Sequence, residues 1–363
     1  MKNAVSRILG WAAKNERHLG AIAFIFGFGV DLVTFTVLSV SFANLAFLGY
    51  LGLAALTVAL SHIFPRLTAH THVAARMVSV VAPLGAQYAI GSLLSGFMIF
   101  YTKSADISAS WPFLALLALV FVGNEYFRTY YKYLAFQLAL LFFALYAYLI
   151  FAIPLALNRL GMPIFFASTG AAVGIYALYL IGISRFRSAD IRRALRFALP
   201  STLGVLILIQ AAYFTGALPP IPLTMSDAGI AHTLVHRNGN YVTMGEVAPQ
   251  WYEIWKPRTQ HIVSGSPLVA YAAIAAPIKF SARVVHRWEH YDTSSRSWVT
   301  ESYISFAISG GRPGGYRGYS EYTPKKDGQW RVAVETPEGQ VIGRIPFTLS
   351  FVDTPVPLIE ETH

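Results

Sequence analysis

The sequence predicts an α-helical transmembrane bundle of about seven spans followed by a small all-β, immunoglobulin-like antiparallel sandwich. Three observations carry this prediction. The 363-residue chain is 55% hydrophobic and only 13% charged, whereas soluble domains carry about 25% charged residues. Residues 1–218 contain a series of apolar runs long enough for membrane spans, which need roughly 17–25 residues. Beyond about residue 224 the apolar pattern changes to period two, in short stretches bounded by Gly, Pro and Asn turns, which is the signature of strands.

The apolar runs cover 20–41, 44–64, 78–101, 111–127, 134–153, 163–183 and 201–218. Residues 1–218 hold 15 Lys/Arg against 5 Asp/Glu, and residues 219–363 hold 13 against 13, so the whole excess of +10 lies in the apolar half. With a cytoplasmic N-terminus, 13 cations fall in the inside segments: Lys2, Arg7, Lys14, Arg17, Arg66, Arg76, Arg128, Lys132, Arg185, Arg187, Arg192, Arg193 and Arg196. The outer loops keep only Lys103 and Arg159. Lys and Arg accumulate in cytoplasmic loops, so this split places the C-terminal half outside. For a bacterium the reading is a multi-pass inner-membrane protein with a periplasmic C-terminal domain. A basic excess of this origin argues against a nucleic-acid partner.

The first run is longer than the ~7–15 apolar residues of a signal sequence and reads as an uncleaved span. Two basic amphipathic helices suit an anionic membrane surface, and plain topology determinants are the alternative reading. One is centred on Val5, Ile8, Leu9 and Ala12; the other starts at Ser188 and sets Ile191, Leu195 and Ala198 opposite Arg192, Arg193 and Arg196. The chain contains no cysteine, which excludes disulfides, thiolate metal sites, iron–sulfur clusters and cysteine nucleophiles.

Residues 219–226 form a Pro-rich connector, stiffened by Leu218-Pro219-Pro220-Ile221-Pro222, and residues 227–363 form the sandwich. Asn238-Gly239, between Leu234-Val235 and Tyr241-Val242, signals a type I′ hairpin. Further strands are predicted over 267–276 and 279–291, separated by Ala276-Pro277, over 330–335 and over 341–351. Lys326-Asp327-Gly328 and Pro337-Glu338-Gly339 supply the turns around residues 330–335.

Three stretches of this half carry a pattern: His286-Arg287-Trp288-Glu289-His290, the aromatic 316–322 stretch with Ser320, and Gly328-Gln329-Trp330-Arg331-Val332-Ala333-Val334 followed by Glu338-Gly339-Gln340-Val341. Over residues 267–349 this pattern resembles the bacterial domain of unknown function 2914, which follows multispanning membrane segments. The resemblance implies the architecture and brings no activity with it. A tryptophan usually precedes the serine in that family, and Tyr319 stands in its place here.

The pair His286 and His290 would share a metal on a helix, but on a strand four residues span about 13 Å, too far for one ion. His286, Trp288 and His290 are therefore expected along one strand face, with Trp288 and Trp330 packed, and no metal or cofactor is assigned. The candidate ligand residues are Trp298, Arg312, Tyr316, Arg317, Tyr319 and Tyr322, around the Gly-rich loop 309–315. Aromatic faces stack on sugars and a cationic glycine loop accepts anions, although such loops also serve as plain turns. Within the membrane Asp31 is the costliest residue, at about 2.5–3.5 kcal/mol for a carboxylate at mid-depth. Gln87, Gln137 and Gln210 are its expected partners. Glu125 lies nearer the cytoplasmic end, one turn from Arg128. Gly170 and Gly174 form a small-xxx-small step suited to close helix packing, within the chain or between copies.

No Gly-x-Ser-x-Gly nucleophile elbow, no His-Glu-x-x-His motif and no convincing carboxylate pair is present. The sequence thus favours a membrane anchor presenting a sandwich that binds an envelope glycan, a lipid headgroup or a periplasmic protein. The alternatives are a transporter or intramembrane enzyme built on Asp31, with the sandwich as accessory, and a sensor acting through a partner.

Overall fold

Apolar runs longer than a soluble core can use become helices, and the computed structural model shows where each begins and ends. It describes residues 28–34, 40–67, 73–186, 189–237, 240–246, 258–311 and 314–362. The helices are α1 (Val40–Leu67), α2 (Val73–Lys103), α3 (Ile107–Tyr126), α4 (Leu134–Leu157), α5 (Met162–Ser184) and α6 (Ala189–Phe214), with a 3₁₀ turn at Arg128–Lys132. Each of the six contains an apolar stretch long enough to cross a membrane. The first predicted span is described chiefly over residues 28–34, which are helical, and the amphipathic segment around Val5 lies outside the described residues.

Local chemistry fixes the helix ends. Asp106 caps α3, its Oδ1 accepting the Ala109 N–H at 3.0 Å, as an N-cap carboxylate does for an otherwise unpaired donor. Asn158 ends α4 in the left-handed region (φ 55°), and the Arg159 N–H reaches back to the Pro154 carbonyl at 3.2 Å, closing the last carbonyls of the helix. The structure corrects the last span. The amphipathic segment after Ser188 and the apolar run from 201 are one continuous helix, α6, which ends at Phe214 rather than 218. Pro200 lies inside it and removes one backbone donor without ending the helix.

The strands are β1 (Thr224–Ala231), β2 (Thr233–Arg237), β3 (Asn240–Gly245), β4 (Arg258–Val263), β5 (Leu268–Ala275), β6 (Ser281–Asp292), β7 (Ser297–Ser309), β8 (Tyr316–Tyr322), β9 (Gly328–Glu335), β10 (Val341–Val352) and β11 (Ile359–Thr362). They form a five-stranded sheet β4-β10-β9-β6-β7 and two three-stranded sheets, β1-β5-β8 and β11-β3-β2. The predicted hairpin is present, with Arg237 pairing Asn240 across the two turn residues.

The sheets are not purely antiparallel as predicted: β4 pairs in parallel with β10, Phe347 opposite Arg258 through Val352 opposite Val263. A parallel pair needs a long connection, and here more than seventy residues separate the two strands. The inner faces of the five-stranded sheet and of β1-β5-β8 enclose one core containing Leu268, Ile274, Val284, Trp288, Trp330, Val332 and Phe347. Glu246, just after β3, joins the third sheet to β4. It meets His232 Nε2 at 3.2 Å and His261 Nδ1 at 2.8 Å.

The chain divides into two compact units. One holds the bulk of the helices; the other comprises residues 102–112, 153–166 and 210–363. In the second unit the helix-connecting segments are built into the sandwich. Arg344 Nη1 on β10 pairs with Asp106 Oδ1 at 3.1 Å and also meets Ser108 Oγ. Arg159 bridges to Ser281, Leu160 packs on the sandwich core, and Gln340 Nε2 donates to the Leu218 carbonyl at 3.3 Å. Leu218, Pro219, Pro220 and Ile221 are buried, so the Pro-rich connector is packed rather than free.

Candidate functional site

The stretch His286–His290 lies in β6, between β9 and β7, so its side chains alternate between the two faces of the sheet. Inward-facing His286 and Trp288 are fully buried. Directly across the core, on β8, Ser320 is 3% exposed. Its Oγ accepts the indole N–H of Trp288 at 3.0 Å and lies 2.8 Å from His286 Nδ1. The Phe306 ring stands edge-on to His286, with centroids 4.8 Å apart, and covers Gly318. Any Cβ at 318 would come within 2.1 Å of that ring, so only glycine lets the two sheets approach here.

Two separated pieces of the sequence pattern, the His286–His290 stretch and the 316–322 stretch, therefore meet as an inter-sheet clasp. A serine–histidine pair at 2.8 Å has the spacing of a nucleophile and its base. Here, however, the hydroxyl already holds the indole and both groups are shut off from solvent. Burial drives the His286 pKa down to about 4, because a charged imidazole loses its hydration in the core. Its role is to hold the sheets together. His290, further along β6, meets the Asp327 carbonyl through Nε2 at 3.0 Å and lies 5.0 Å from the Trp330 ring. Among the described residues no group of three or more His, Asp or Glu side chains is arranged to hold a metal ion.

The opposite face of the same sheet carries an ionic network that the sequence reading missed. Arg287 holds Glu335 through two bonds, Nε at 3.0 Å and Nη2 at 2.8 Å, and reaches Glu289 through Nη1 at 2.8 Å. Arg331 Nε donates to the other oxygen of Glu289 at 2.6 Å, and its guanidinium lies 4.1 Å over the Trp298 ring. Both carboxylates are only 3% exposed. Buried carboxylates of this kind need such bidentate pairing. The signal was present in β6 itself, where Arg287 and Glu289 alternate with His286 and Trp288.

The six candidate ligand residues do not form one cluster. Trp298 stands in this ionic network, and Tyr316 and Tyr322 face inward onto the core, Tyr322 beside Trp288 at 5.5 Å. Arg312 lies outside the described residues. Arg317 and Tyr319 fall on the outer face of β1-β5-β8, where Tyr319 is 52% exposed. Tyr241 of β3 approaches them there, its hydroxyl donating to the Arg317 carbonyl at 3.2 Å and its ring 6.2 Å from that of Tyr319. The glycine-rich loop has a packing reason of its own: a Cβ at Gly310 would come within 1.9 Å of the Pro277 carbonyl oxygen.

In the helical unit Asp31 interacts with the hydroxyl of Ser95, not with the glutamines expected for it. Ser95 is buried and its Oγ has no hydrogen bond of normal geometry. Glu125 accepts from Gln87 Nε2 at 3.1 Å. It adjoins a polar chain in which Asn124 donates to the Gln87 carbonyl, Tyr131 Oη meets Asn124 Oδ1, Gln137 Nε2 meets the Tyr131 carbonyl and Ser61 donates to Gln137. Gly91 of α2 seats the Asn124 side chain of α3, 3.1 Å from where a Cβ would stand. Gly170 and Gly174 are exposed on α5, with nothing within 4 Å of an added Cβ.

A profile of the family described as protein of unknown function (DUF2914) matches residues 281–349, from the start of β6 almost to the end of β10. No curated protein matches the chain. Among solved structures, β-glucosidase from Listeria innocua in complex with gluconolactone is 11% identical with a TM-score of 0.20, over 31% of this chain and 16% of the glucosidase. The same enzyme in complex with glucose gives 12%, 0.20, 32% and 17%. The chain thus spans about a sixth of that enzyme. The alkylpurine DNA glycosylase AlkC of Pseudomonas fluorescens, bound to DNA containing an abasic site analog, is 11% identical with a TM-score of 0.23, over 85% of this chain and 99% of AlkC. Scores this low leave the fold to be described by its own geometry.

Proposed function

We propose that this is a multi-pass protein of the bacterial inner membrane that presents a periplasmic sandwich for recognition of an acidic envelope glycan. One observation carries the reading: the segments built into the sandwich, 102–112, 153–166 and 210–223, follow alternate helices. They contain only Lys103 and Arg159 as cations, whereas the other connections hold the Arg-rich clusters. Cations concentrate on the cytoplasmic side, which supports a cytoplasmic N-terminus and a sandwich outside. The neutral balance of the sandwich suits exposure, and Tyr241, Arg317 and Tyr319 offer aromatic surface beside a cation. Gly170 and Gly174, open on α5, are the surface through which two copies would pack.

Orientation is tested on the natural Cys-free chain. Thr293→Cys in intact cells is expected to react with a membrane-impermeant maleimide; protection until the cells are lysed would reverse the topology. Recognition is tested with full-length protein in nanodiscs and solubilised peptidoglycan fragments. Saturable binding is expected, weakened at least tenfold in the Arg317→Ala, Tyr319→Ala double variant. Absence of binding by the unaltered protein, or equal binding by the variant, removes the glycan reading.

A further inference from the structure

We propose that the turn Pro277-Ile278-Lys279, together with Arg159, is a binding site for the phosphate headgroup of an anionic phospholipid, with Ile278 entering the bilayer interface. The argument begins with Ile278, which is 76% exposed while the next residue but one, Phe280, is fully buried in the sandwich core. A large apolar side chain this exposed on a loose loop would mean little. This turn is braced on every side. Phe280 N–H bonds the Pro277 carbonyl at 3.1 Å, Gly310 N–H the Phe280 carbonyl at 2.7 Å, and Gly311 N–H the Ala276 carbonyl at 3.2 Å. The backbone of Gly311 lies against Ile278, and Lys279 is held in the left-handed region at φ 68°, an uncommon place for a side chain of its size. The fold keeps Ile278 pointing away from protein.

What lies beside the turn says what it meets. Ser281 N–H donates to the Asn158 carbonyl at 3.1 Å, and Arg159 bridges to Ser281. Asn158–Gly161 is the four-residue connection between α4 and α5, both apolar enough to cross a membrane. The turn therefore lies where the chain leaves and re-enters the bilayer, flanked by exposed Leu157 and Met162. Three exposed cations gather around the bridge: Arg159, Lys279 and Arg283. Paired strands lie about 5 Å apart and each residue advances about 3.3 Å, so their side chains reach a common phosphate. Among the described residues none of the three makes an ion pair. An apolar tip ringed by unpaired cations at a membrane surface matches an anionic lipid, in charge and in amphipathy.

The inference rests on the membrane reading of the helices and is independent of the Tyr319 face, so failed glycan binding leaves it standing. Because the chain has no cysteine, Ile278→Cys carries a single spin label in nanodiscs of phosphatidylcholine and phosphatidylglycerol. Its collisions are expected to be frequent with oxygen and rare with a water-soluble nickel chelate; Thr293→Cys on the β6–β7 turn should show the reverse. In native mass spectrometry, phosphatidylglycerol retained by the full chain is expected to fall at least fivefold in the Arg159→Gln, Lys279→Gln double variant. It should be unchanged in Arg296→Gln and preserved in Lys279→Arg. A nickel-accessible label at 278, or undiminished lipid retention in the double variant, overturns the proposal.

Discussion

Ser320→Ala is expected to lower the stability of the sandwich by about 3 kcal/mol, far more than the loss of one hydroxyl suggests. The oxygen removed accepts the Trp288 indole N–H and partners His286 Nδ1, and among the described residues neither of these nitrogens has another hydrogen-bond partner. His286 Nε2 already lacks one, so the variant leaves a whole imidazole and an indole N–H buried and unsatisfied. Each such group costs about 1–3 kcal/mol. Core volume hardly changes, which separates this effect from cavity formation. Trp288 and Trp330 report on the same core, so the measurement is urea unfolding of the full chain in detergent, followed by tryptophan fluorescence. Ser305→Ala on the exposed face of β7 should shift the midpoint little. A Ser320→Ala curve that overlays the unaltered protein would remove the clasp from the account.

Legibility in the sequence followed the strength of the local signal. Long apolar runs fix helices regardless of context, so α1 to α5 lie within a few residues of their predicted positions. The α6 correction has a local cause: the run after Pro200 looks like a fresh start, yet a proline costs a helix one bond, and the basic turns before it continue the same axis. Strands β5, β6, β9 and β10 were readable from alternation and turns. The parallel β4 was not, because pairing across more than seventy residues leaves no local mark. At the site, Trp288 and Trp330 were legible as core from their period-two neighbours. Tyr316 and Tyr322 were misjudged because the direction of alternation along β8 cannot be set without knowing which sheet it joins; a one-residue change exchanges its faces. The ionic network was half legible. Arg287 and Glu289 were visible in β6, but Glu335 and Arg331 come from β9, beside them only after pairing. Arg344 and Asp106 lie still further apart in sequence, and their pairing is what builds the cap of α3 into the sandwich.

The second large effect is acid sensitivity centred on His286. Its folded pKa lies near 4, against about 6.5 in an unfolded chain. Above pH 6.5 the imidazole is neutral in both states and stability does not depend on it. Below that value the unfolded chain takes up a proton that the folded core refuses, so stability falls with pH and levels off near pH 4. A gap of about 2.5 pKa units amounts to about 3 kcal/mol across the window. The reason is visible around the ring: Ser320 offers one polar contact, Phe306 faces the imidazole edge-on, and neighbouring Val284, Trp288 and Val334 are apolar. Among the described residues no carboxylate stands in this core to stabilise a charge. His286→Gln cannot titrate yet retains an amide for Ser320, so its stability should be nearly flat from pH 7 to pH 5, where the unaltered protein declines steadily. Carboxylates whose pKa is lowered in the fold, such as Glu246 and Asp292, contribute their losses only as the pH drops below about 4.5. The two limbs therefore separate on one pH series. If both proteins decline in parallel between pH 6.5 and pH 5, the acid limb belongs to other groups and His286 is not its source.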